Sequence, residues 1–154
     1  MKTTALRAAC FIVLAGCVTP GKLDTPSGRP EVTIKGASPD DVANACAARV
    51  AREGWILERS DRFSVVAAGR TNNVLADAFF GSSYDRETWF RLTFSIVQQA
   101  GAVTVYGRWD IVTNRGSAFE RISPMDQQKH YEETQRILEE IKASVTSTAA
   151  PVSK

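Results

Sequence analysis

The chain has 154 residues, with 19 Lys and Arg against 17 Asp and Glu, one His and three Cys. That length favours a single domain that can bury a core without disulfide staples. A composition 44% hydrophobic and 23% charged excludes a disordered polyelectrolyte, and a single His excludes a multi-His metal centre.

Lys2 and Arg7 make a basic start, followed by an apolar stretch of about eight residues. That is too short to span a ~30 Å hydrocarbon core, but it suits the hydrophobic region of an export signal. The stretch ends in Leu14-Ala15-Gly16-Cys17, an aliphatic residue, two small ones and a Cys. This resembles the lipobox of bacterial lipoproteins. The resemblance implies cleavage after Gly16, diacylglycerol on the Cys17 thiol and acylation, typically by palmitate, of the new amino terminus. Several acyl chains make a stable anchor where one would be marginal. Val18 follows the Cys, in place of the Asp associated with inner-membrane retention, so the resemblance favours the outer membrane. The domain would face the periplasm, with surface display left open.

Loss of the signal (1–16) removes Lys2 and Arg7, leaving 17 cations against 17 acids. Cys10 leaves with it, Cys17 is the lipidation site, and Cys46 remains alone. No intramolecular disulfide framework is then available. A neutral mature chain in this compartment argues against a nucleic-acid partner.

Residues 17–30 carry the lipidated Cys and a Pro-, Gly- and Ser-containing stretch read as a flexible tether. Fully extended, residues 18–30 would reach roughly 45 Å. A single domain is expected over 31–146 and a disordered tail over 147–154.

Within the domain, Val32 and Ile34 alternate with polar neighbours as a short strand. Ser38-Pro39-Asp40-Asp41 then opens a helix that Gly54 ends. A hairpin is expected around Ser60-Asp61-Arg62. A longer one turns at Ala100-Gly101, with Phe90, Leu92, Phe94 and Ile96 on one face of the first strand. A two-residue loop there pairs Ile96 with Val105 and Leu92 with Trp109. It also places Arg91 opposite Asp110 as a cross-strand ion pair. Ser123-Pro124-Met125-Asp126 repeats the helix-start pattern. The following helix lines up Tyr131, Thr134, Ile137, Leu138, Ile141 and Val145.

The predicted order β-α-β-β-β-β-α gives an α+β fold. It is a two-layer sandwich of an antiparallel four- to five-stranded sheet with two helices on one face. This element order resembles helix-grip and TBP-like domains, which accessory lipoproteins of the outer-membrane barrel-assembly machine use. The resemblance implies an envelope accessory role.

Chemistry-bearing residues are few. His130 lies in the polar first half of the last helix, beside Lys129 and Glu132, as a surface or boundary residue, and Cys46 lies among Ala and Val as a small buried hydrophobe. Asp85, Glu87, Asp110 and Glu120 show no spacing that singles out an acid–base pair. No cofactor or metal motif is present. The outward hairpin face is richer, because Trp89, Arg91, Tyr106 and Arg108 combine the residue types that anchor interfaces. The connection 71–85 adds Phe79 and Phe80, which either pack on the core or contact a partner. The expected function is a non-enzymatic, lipid-anchored envelope module that binds another protein through these residues. A small-ligand or lipid-binding module is the alternative, with a cavity lined by Phe90, Phe94, Val105, Ile137 and Leu138. A hydrolase built on His130 or the carboxylates comes third.

Overall fold

A computed structural model describes residues 21–70 and 88–149. Strand β1 (Glu31–Lys35) buries Val32 and Ile34 and leaves Thr33 and Lys35 exposed. Helix α1 (Pro39–Arg52) starts as its sequence dictates. The Ser38 hydroxyl accepts from the Asp41 amide at 3.1 Å and donates to the Asp41 carboxylate at 2.7 Å. Its end is a Schellman turn, with Gly54 at φ +75°. The amides of Gly54 and Trp55 return to the carbonyls of Ala51 and Val50.

Strands β2 (Ile56–Asp61) and β3 (Ser64–Arg70) form the first hairpin, whose turn is held by the Asp61 carboxylate accepting from the Phe63 and Ser64 amides. Strands β4 (Trp89–Gln99) and β5 (Ala102–Thr113) form the second. Ala100 and Gly101 both take positive φ, 49° and 78°, the primed turn that matches strand twist. The register is the one a two-residue loop demands: Ile96 opposite Val105, Leu92 opposite Trp109, Arg91 opposite Asp110.

The sequence 123–126 does not start a helix. Ser123 and Pro124 instead end a further strand, β6 (Arg121–Pro124), which pairs with β5. Proline is tolerated there because the strand is short and Pro124 is its last residue. The final helix, α2 (Gln128–Ala149), begins later than expected. The sheet runs β1-β5-β4-β3-β2, with β6 on the same side of β5 as β1 but further along.

Both helices cover one face of this antiparallel sheet, giving a two-layer α+β sandwich. Val42, Cys46 and Val50 of α1 and Ile137, Leu138, Ile141 and Val145 of α2 close over Val65, Leu92, Phe94, Ile96, Val103 and Val105. Arg49 ties the helices together through Glu140 at 2.8 Å.

Two expected boundaries shift. Residues 21–30 are not spaced off the domain. The Gly21 amide donates to the Asp126 carbonyl at 2.6 Å and the Lys22 amide to the Gln128 side chain at 2.8 Å. A turn brings the Leu23 amide onto the Gly28 carbonyl. At the other end α2 continues past residue 146, and the Thr146, Ser147 and Thr148 hydroxyls bond back to carbonyls of the preceding turn. Cys17 and the signal lie outside the described residues, as do 150–154.

Candidate functional site

The outward hairpin face divides into a braced half and an open half. In the braced half the expected Arg91–Asp110 pair does not form, although the two residues are opposite. Asp110 turns to Arg108, two residues away on its own strand and face, at 2.9 Å. Arg91 takes Glu58 at 3.0 Å and Glu120 at 3.2 Å instead. Alternation from Ile56, opposite Ala68, puts Glu58 on this face, just before the β2 register shifts at Arg59. Arg115 bonds the same Glu58 at 2.7 Å and lays its guanidinium 4.2 Å from the Trp89 ring centre. Glu120 also accepts the Gly116 amide at 2.9 Å, and that bond, with Arg91 beside it, holds its carboxyl below the usual range. Trp89 and Arg91 are therefore engaged within the domain.

Tyr106 and Arg108 stand in the open half, both exposed. Phe79 and Phe80 lie outside the described residues, as do Asp85 and Glu87. Phe119 is 79% exposed.

Tyr106 and Arg108 form one wall of a groove of about 1050 Å³. The groove exists because β1 and β6 pair with different stretches of β5. Strand β1 reaches Tyr106 and β6 reaches Asp110, so among the described residues the edge at 107–109 carries no strand pairing. Pro30 and Met125 meet that edge from either side, through the Gly107 amide and the Trp109 carbonyl. Residues 21–30 cross in front and supply Lys22 and Arg29, while α2 supplies Tyr131.

The opposite edge of the sheet is β2. It exposes Ile56 at 51% and Leu57 at 44%, and Phe63 stands 66% exposed at the adjoining turn.

Between sheet and α2, Phe94, Val105, Ile137 and Leu138 are packed core. Cys46 is fully buried there, and burial pushes its thiol up to about 12, so no thiolate forms near neutrality. His130 sits against Trp109, ring centres 6.5 Å apart, and burial lowers its pKa. Among the described residues, no group of three or more His, Cys, Asp or Glu is placed to hold a metal ion.

The sequence reading missed the groove and the β2 edge. Lys22, Arg29 and a Gly inside an otherwise bulky strand were visible signals. Their convergence depends on the docking of 21–30, which no local pattern encodes. No protein family and no curated protein matches the chain.

Proposed function

We propose that the chain is a bacterial lipoprotein anchored in the outer membrane through Cys17. Its domain faces the periplasm and acts without catalysis of its own, as an accessory that binds another envelope protein. The lipobox-like Leu14-Ala15-Gly16-Cys17 supports the anchor. The outer edge of β2, unpaired among the described residues, carries the binding part of this reading. Edge strands are normally guarded by charge, bulges or cover, because their open backbone groups recruit another strand. Here the charges and the register shift guard Glu58 onward, while Ile56 and Leu57 leave the start of the strand apolar and open. A partner strand laid along β2 would gain main-chain hydrogen bonds and cover Leu57 and Phe63.

The test is photo-crosslinking in cells from residue 57 or 63, with residue 132 on the exposed side of α2 as control. One partner band from 57 and 63, absent from 132, is the expected result. The same bands from all three positions would overturn the contact surface. Palmitate labelling of the intact chain, lost in Cys17→Ala, tests the anchor separately.

A further inference from the structure

We infer that the groove at the interrupted β5 edge binds the headgroup of an anionic phospholipid from the membrane that holds the protein. The inference rests in part on the lipoprotein reading, because the position of the anchor decides which ligand is at hand.

Three observations converge. The first is charge. Lys22, Arg29 and Arg108 line the groove against one carboxylate, Asp126. Arg108 is oriented by Asp110 at 2.9 Å, yet its side chain is still 64% exposed. Among the described residues, neither Lys22 nor Arg29 has a carboxylate within ion-pair distance. Two cations without such a partner, beside a half-neutralised Arg108 on a concave surface, complement a phosphodiester, and guanidinium forks match phosphate oxygens bidentately.

The second is size and lining. A volume of about 1050 Å³ far exceeds a phosphate ion, and it is shared between cations and the rings of Tyr106 and Tyr131. Amphipathic rings beside cations suit the boundary between headgroup and acyl chains, where one end is wet and the other apolar.

The third is distance. Gly21 is fixed to the Asp126 carbonyl at the groove. Cys17 precedes it by four residues, a span of at most ~14 Å. The docking of 21–30 thus turns a tether expected to hold the domain roughly 45 Å away into a short leash. A groove at the root of that leash lies within reach of the headgroup layer, and the attraction of cations to an anionic surface acts over about a Debye length, ~8 Å. The β2 edge lies at the far end of the sheet from this groove, so both contacts can be made at once.

The experiment titrates the mature protein, purified in dodecyl maltoside, with dihexanoyl phosphatidylglycerol. Dihexanoyl phosphatidylcholine and inorganic phosphate are the comparisons, and amide NMR shifts are the readout. Saturable shifts at Gly21, Arg29, Gly107 and Arg108 with phosphatidylglycerol alone are expected. Apparent affinity should fall at least tenfold in a Lys22→Gln/Arg29→Gln variant whose melting temperature is unchanged. Equal response to phosphatidylcholine, equal response to phosphate, or undiminished binding by the variant would each overturn the inference. The mass of the same preparation reports the acyl chains. A chain without them defeats the lipoprotein reading, while the titration still decides whether the groove binds the headgroup.

Discussion

Gly107 and Thr134 touch across the sheet–helix interface so closely that a Cβ on Gly107 would lie 2.3 Å from the Thr134 methyl. Helix α2 therefore rests on bare β5 backbone. Thr134 is 1% exposed, and its hydroxyl donates to the His130 carbonyl at 2.6 Å. Gly107→Ala should destabilise the domain by roughly 1–3 kcal/mol, as overpacking does. Thr134→Ser removes the methyl and keeps the hydroxyl, so it should restore part of the loss. Urea denaturation of both single variants and the double variant checks this, with a coupling of at least ~0.5 kcal/mol expected. Additive effects would mean that the two residues do not share the clash.

Arg91 should matter more than an ordinary surface arginine. Its side chain is 17% exposed and answers both Glu58 and Glu120. Arg91→Met leaves Glu120 with the Gly116 amide and Glu58 with Arg115. The expected cost is ~1–2 kcal/mol, between the limits for exposed and buried pairs. Arg59, whose side chain is 62% exposed in its pair with Asp61, should cost less than about 0.5 kcal/mol on the same change. Chemical denaturation in low and high salt distinguishes them, and equal losses would contradict the brace.

Local rules made much of this fold legible. Ser38, Pro39 and Asp41 announce α1, Gly54 ends it, and Ala100-Gly101 sets the register of the long hairpin. Each is a contact between residues close in sequence. The same logic failed at Ser123-Pro124, where pairing with Asp110 and Ile111 outweighs a local capping signal. It failed again at Arg91, because Glu58 and Glu120 reach its guanidinium from β2 and from the loop after β5, both distant in sequence. The groove was least legible of all. It is a gap between two strands that approach β5 from opposite ends, and a gap has no residues of its own.

His130 should make stability depend on pH in a defined window. Burial lowers its pKa from the ordinary 6.5, with Lys129 acting in the same direction and Glu133 opposing. The unfolded chain then binds a proton at a higher pH than the folded chain. Stability is highest above about 6.5 and falls as pH drops from there toward the folded pKa. His130→Gln should flatten the dependence between pH 7.5 and 5.5 in thermal melts. Below 4.5, a separate decline should come from Asp61, Glu120 and Glu140, whose carboxyls are all held below their ordinary values. That decline should survive the substitution. An unchanged slope between pH 7.5 and 5.5 in His130→Gln would assign it to other groups.

Gly21 decides whether the tether docks. A Cβ there would lie 2.9 Å from the Gln128 Cα and 3.0 Å from its amide nitrogen, and backbone cannot swing aside as a side-chain tip can. Gly21→Ala should therefore detach 21–22 from the start of α2, breaking the bonds to Asp126 and Gln128, while leaving the core untouched. Trypsin reads this directly, because Lys22 becomes cleavable only when its backbone is free to enter the protease. Opening more often by about 1.4 kcal/mol would raise the cleavage rate at Lys22 about tenfold. The melting temperature should stay within a few degrees of the parent. Gln128→Ala removes only the side-chain acceptor and should give a smaller increase. Were cleavage at Lys22 already fast in the parent and unchanged in both variants, the segment would be a free tether, and the groove would lose the wall that carries Lys22 and Arg29.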